Sequence, residues 1–152
     1  MSELQRISDQ LHRAYDGPAW HGPNVVECLQ EVTPELALLR CGSSHNIAEL
    51  THHLYAWRYY VIQHLTGNTS YDVADDFNFI KYDEVDAKEW ERLKQQLAAS
   101  QQTLLQLLAN QNDDVLEKNV PNRKFTFYVL LHGLIQHDLY HAGQIRMLQK
   151  NT

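Results

Sequence analysis

Residues 125–149 read FTFYVLLHGLIQHDLYHAGQIRMLQ, with no proline to interrupt them. Apolar residues recur at Leu130, Leu134, Ile145 and Leu148, the repeat of one helix face. Between Leu134 and Ile145 that face carries His137 and His141 in place of leucines. Residues four apart on a helix stand one above the other, ~6 Å along the axis. Two imidazoles therefore point the same way out of a stripe expected to be packed core, an arrangement that offers two nitrogens to one metal ion. The competing reading is a pair of hydrogen-bonded core histidines in a chain that holds nine histidines. The pair alone does not separate the two.

The run HDLYH resembles the zincin pattern H-E-x-x-H with Asp138 in the glutamate position, and a zincin takes its third ligand from downstream. The eleven residues after His141, AGQIRMLQKNT, contain no His, Asp, Glu or Cys. A third protein ligand is thus expected from an upstream helix, which argues against a zincin protease and for a site between helices of a bundle.

Upstream, Ser2 and Gln5 form a capping box before a stripe of Leu4, Ile7 and Leu11 that runs to about Tyr15, where Asp16-Gly17-Pro18 stops it. A short helix restarts after Gly22 with Pro23 suited to its first turn. His21 sits in the break, and a buried structural role is expected ahead of a distant site role. Thr33-Pro34 opens another short piece to about Leu39. Asn46 and Glu49 make a second capping box. The helix after it carries Ile47, Leu50, Leu54, Trp57, Val61 and Leu65 on its apolar stripe and ends at Gly67. His53 lies at the inward edge of that stripe and is the best upstream candidate for a third ligand. His52, about 100° away, is the runner-up, and His45 lies in the preceding loop.

Residues 68–82 lack a clear period and predict a long crossover over one end of the bundle. The spacing of Asp72, Asp75 and Asp76 does not match an EF-hand, so a solvated turn is expected. Asp83 is read as the cap of a third helix that runs to about Ala109 on a stripe of Trp90, Leu93, Leu97, Leu104 and Leu108. Ser100 and Gln101 interrupt that stripe, either to face a polar cavity or because the helix bows to solvent.

Composition bounds the function. A length of 152 residues predicts one domain over 1–152. A net charge of −6 without a basic run gives no support to a nucleic-acid or anionic-membrane partner. No apolar stretch reaches ~18 residues, and the polar start MSELQRISDQ does not read as a secretory signal. Cys28 and Cys41, outside any C-x-x-C, read as reduced thiols of a cytoplasmic protein.

AWHGPN, SSHNIAELTHHLYAWRYYVIQHLTG and QHDLYHAGQIRML, in that order, resemble segments of the DinB-like (DinB/YfiT) superfamily of proposed metalloenzymes. The likeness spans Trp20 to Leu148, and its most specific piece is the final H-D-x-x-H-x-G-Q-I. The resemblance implies an all-α four-helix bundle, up-down-down-up, with a long crossover between helices two and three. It implies a metal held by His53, His137 and His141, and often a homodimer. Family members with assigned activities include S-transferases using low-molecular-weight thiols and a thiol-dependent isomerase.

Three neutral imidazoles suit a divalent cation, zinc or nickel first, with iron or manganese as further options. They leave an open position for water or a thiol. The expected function is a metal-dependent enzyme with a small-molecule substrate, hydrolase-like or low-molecular-weight-thiol S-transferase-like. The alternatives are a non-catalytic metal- or ligand-binding bundle, or a self-associating bundle whose histidines are core polar residues. Asp138 is read either as a carboxylate that orients a ligand histidine or as an ordinary surface or capping residue. Gln144 is a candidate donor to substrate or a packing residue, and Tyr140 is expected at a helix interface ahead of the cavity. No Ser-His-Asp order, glycine-rich phosphate loop or general-base glutamate is identified.

Overall fold

The computed structural model describes residues 1–150; the named elements among them are all helical, joined by turns and loops, with no named strand. The helices are α1 (Glu3–Tyr15), α2 (Val25–Gln30), α3 (Pro34–Ala37), α4 (Ile47–Leu65), α5 (Asp75–Asn78), α6 (Ala87–Ala109) and α7 (Phe127–Lys150), with a 3-10 turn at Asp113–Val115. None of the helices is long and apolar enough to cross a membrane.

Side-chain caps set most of the helix starts. The Ser2–Gln5 and Asn46–Glu49 boxes form as read, and Asn24–Glu27 adds a third. Asn24 is thus the cap of α2, and Pro23 precedes the cap instead of opening the first turn. The cap of α6 is Asp86, not Asp83: its Oδ1 accepts from the Glu89 N–H at 2.7 Å. Asp83 is 90% exposed and lies 4.0 Å from Arg40. The last helix begins at Phe127, because Phe125 is held in a tight turn whose carbonyl accepts from Val120 N–H at 2.9 Å. The connector before it also works on α1: the Asp113 carboxylate accepts the Glu3 and Leu4 N–H groups at 3.1 and 2.9 Å, two donors that a helix start leaves unpaired.

The four long helices pack as α4 on α6 and α7, and α1 on α6 and α7. Two apolar clusters form the core. One gathers Tyr15, Leu54, Leu97 and Ala142; the other gathers Leu11, Tyr60, Leu104 and Leu134. On α4, α6 and α7 the residue between the two clusters is polar and buried: Arg58, Gln101 and Asp138. Arg58 Nε donates to Gln101 Oε1 at 2.9 Å, Gln101 Nε2 donates to the Leu11 carbonyl at 3.1 Å, and Arg58 pairs with Asp138. The guanidinium also lies 4.8 Å over the Tyr15 ring. Gln101 therefore interrupts the α6 stripe because Arg58 faces it, and the Ser100 hydroxyl donates to the Leu97 carbonyl at 2.6 Å; both are buried, so the helix does not bow to solvent there.

The crossover runs back along α4 instead of lying over one end. His64 meets the Tyr71 carbonyl, Trp57 donates to Asn78 Oδ1 at 3.0 Å, and Asn46 donates to the Tyr82 carbonyl at 2.8 Å. Its far end is fixed by Glu49, which accepts from Arg40 and from the Tyr82 N–H. Burial opposes charge on Glu49, but Arg40, His45 and Tyr82 outweigh it and hold the carboxyl at about 2.

Candidate metal centre

The buried stripe of α7 runs Phe127, Leu131, Leu134, Asp138, His141, Ala142, Ile145 and Leu148. Its middle is Asp138, fully buried, while His137 sits at the edge, half-buried. The expectation that both histidines replace leucines at the centre of the stripe is corrected here. A helix turns about 100° per residue, so the position after His137 takes the core and His137 is turned toward α4.

That turn brings His137 to His53. The Nε2 atoms of His137 and His53 are 2.9 Å apart, and those of His141 and His137 are 3.1 Å apart. One ligand atom from each of the three rings falls within 4.8 Å of the others. Two nitrogens bound to one ion at ~2.0–2.1 Å stand about 2.9 Å apart at a right angle and about 3.3 Å apart at the tetrahedral angle. The two short separations lie in that range.

The far nitrogens fix the rings. His53 Nδ1 lies 3.1 Å from the Asn78 carbonyl and His141 Nδ1 lies 2.6 Å from Gln144 Oε1. Both partners are acceptors, so each Nδ1 carries the proton and each Nε2 presents a lone pair to the cluster. His137 Nε2 stands against both, and a single N–H there satisfies only one of the two contacts. A cation satisfies all three lone pairs. His137 Nδ1 is buried and has no hydrogen-bond partner among the described residues.

Aromatic walls hold the site. His53 stacks on Phe79 at 4.0 Å between ring centroids, and Phe79 stacks on His45 at 3.7 Å. Burial, reinforced by the other rings, pulls His53 down to about 4 and His137 down to about 2, and burial lowers His141 as well. All three are neutral near pH 7, so ligation requires no proton to leave.

The remaining candidates fall elsewhere. His52 turns away to the Phe77 carbonyl at 2.8 Å, and His45 Nδ1 lies 2.9 Å from Glu49. Asp138 is neither a surface residue nor hydrogen-bonded to a histidine: one oxygen pairs with Arg58, the other is buried without a partner among the described residues, and complete burial raises its carboxyl against the pull of Arg58. Tyr140 is 66% exposed beside His141, so it does not pack at a helix interface. His21 is exposed next to Trp20, which excludes the buried role expected for it. Asp72 pairs with Arg123, and Cys28 and Cys41 are free thiols. Asn78 and Phe79 were not foreseen, because nothing periodic marks them. Gln144, three residues after His141, has a spacing that foretells its bond to that ring.

A family model described as the DinB superfamily matches residues 5–145. No curated protein and no solved structure matches the chain.

Proposed function

The chain belongs to the DinB superfamily, and from that premise we propose that it is a metal-dependent enzyme whose divalent cation is held by His53, His137 and His141. The observation that carries this reading is the shared contact at His137 Nε2, where two oriented lone pairs meet a third nitrogen that has at most one proton to give. Zinc and nickel head the candidates, since all-nitrogen ligation does not choose between them.

Such an ion, held by His53, His137 and His141, would supply Lewis acidity. The protein's part is to fix the rings through Asn78 and Gln144, to keep them neutral, and to shield them behind Phe79 and Trp57. Transfer to a low-molecular-weight thiol is favoured over hydrolysis. The carboxylates on the site's own helices are committed elsewhere, Asp138 to Arg58 and Glu49 to Arg40 and His45, and a thiolate needs no general base.

The proposal includes one domain over 1–152, a homodimer in solution, and up-down-down-up helices. Opposite directions for α4 and α7 are supported by His53 beside His141 and by Val61 and Val129 lining one cavity, and a common direction for α4 and α6 by Asn46 beside Tyr82, which precedes α6, and Arg58 beside Gln101.

Metal analysis of untagged protein tests the site. One ion per chain is expected, lost in His53→Ala and in His137→Ala. A full complement in the double variant overturns it. A bound ion with no turnover of any thiol and electrophile pair would leave a non-catalytic metal-binding bundle instead.

A further inference from the structure

A cavity of about 340 Å³ opens beside His137, walled by Trp57, Val61, Phe125, Leu130 and Leu134, with Gly133 on the same helix as its floor. That volume is at the small end of ligand sites, which run ~300–1,000 Å³. It offers almost nothing to a polar ligand. No charged side chain lines it, and the Trp57 indole N–H is already given to Asn78 Oδ1. The one polar side chain on its wall is His137, whose Nε2 points into the histidine cluster.

Gly133 supplies a second, independent observation. A mid-helix glycine is less favourable than alanine, so a packing reason is expected for it. None exists: a Cβ added at Gly133 would meet no atom within 4 Å. What the missing side chain does is leave the cavity open.

We infer that this cavity is a specificity pocket for an uncharged hydrocarbon portion of the substrate, whose reactive end is thereby directed at the His53, His137 and His141 cluster. This rests on the metal-enzyme reading for the direction of the reactive end, not for the pocket itself. A long-chain or aryl substrate fits, and a sugar, nucleotide or amino-acid head group has no partner there.

The test uses the full chain and an uncharged fluorophore, N-phenyl-1-naphthylamine, with n-alkanethiols from ethanethiol to hexanethiol as competitors against zinc-loaded protein. Saturable one-site binding of the fluorophore is expected with and without metal. Thiol affinity should rise about fourfold per added methylene, the equivalent of ~0.8 kcal/mol of buried CH₂. Gly133→Leu should abolish fluorophore binding and flatten the chain-length dependence. Gly133→Ala should weaken both, which keeps the inference testable if the leucine variant folds poorly. Gln136→Leu, at an exposed position of the same helix outside the cavity lining, should change neither.

Absent fluorophore binding, or binding untouched by Gly133→Leu, overturns the inference. So does a wild-type dimer that Gly133→Leu converts to monomer, since a second copy would then cover the cavity. Fluorophore binding in a chain that takes up no metal would sink the metal reading and leave the pocket standing. A full metal complement with no fluorophore binding would do the reverse.

Discussion

Two neighbouring positions on α7 lead into opposite kinds of polar cluster. From Asp138, a network closed by an ion pair runs through Arg58 and Gln101 to the Leu11 carbonyl, a donor meeting an acceptor at each step, although Asp138 Oδ1 is buried with no partner among the described residues. From His137, the contacts go to two nitrogens that both present lone pairs. Both clusters are shielded from water, and both join α7 to α4. A network whose anion already has its cation ties helices together and needs no further ion, whereas acceptors converging on acceptors are short of a positive charge. Burial alone does not mark a functional site; converging acceptors without a cation do.

The largest expected effect lies on the closed side. Removing one member of a buried ion pair strands the other, at about 3–5 kcal/mol. Asp138→Ala should therefore lower the unfolding free energy by that order, measured by urea titration, and by the same amount in metal-loaded and chelated protein. If the loss appeared only in loaded protein, Asp138 would belong to the metal site and the contrast would collapse.

On the open side the dependence reverses. An ion at a hundred times its dissociation constant adds about 2.7 kcal/mol to stability. Wild type should gain that on loading, and His137→Ala should gain nothing. Equal melting temperatures for loaded and chelated wild type would leave the three rings as core polar residues.

How much of this the sequence carried depends on how local each signal is. The helices were legible because their caps and stripes are local: Ser2 with Gln5, Asn46 with Glu49, Leu93 with Leu97 and Leu104. His53, His137 and His141 could be named as candidates because i, i+4 spacing and the inward edge of a stripe narrow where rings point, although the stripe was read one residue off at His137 and the set as a whole came from the resemblance. Arg58 was not. Its spacing, four residues after Leu54 and three before Val61, puts it on the inward stripe, yet only partners on two other helices make a buried charge tolerable there. Asn78 and Phe79 were invisible for a similar reason. Their place comes from the α4 histidines and Trp57 that they meet across the chain, not from a pattern of their own.

Gln144 sharpens the comparison by a smaller amount. It touches the cluster only through His141 Nδ1. Loss of such an outer contact weakens metal binding by about 10–100-fold. Gln144→Leu should show that loss in a competition titration against a zinc chelator, with the stability of chelated protein unchanged within ~0.5 kcal/mol. An unchanged affinity would mean that packing alone holds the ring.

The gentlest probe is pH, applied to chelated protein. Burial holds His53 at about 4 and His137 at about 2, and lowers His141 and His52 too. In the unfolded chain these rings take protons near ~6.5. Between those values the unfolded state binds more protons than the folded one, so stability rises with pH. It is complete above about 6.5 and is lost as pH falls toward 4, by up to ~1.4 kcal/mol per pH unit for each ring. Glu49, held at about 2, adds its own loss only below its unfolded value of 4.5, so the higher window belongs to the imidazoles. His137→Gln should make the slope between pH 6.5 and 4 shallower by about one proton, while Asp138→Asn, which removes a carboxyl that burial raises and that acts in the opposite sense, should not make it shallower. A slope that followed Asp138 and ignored His137 would reverse the assignment of the two clusters.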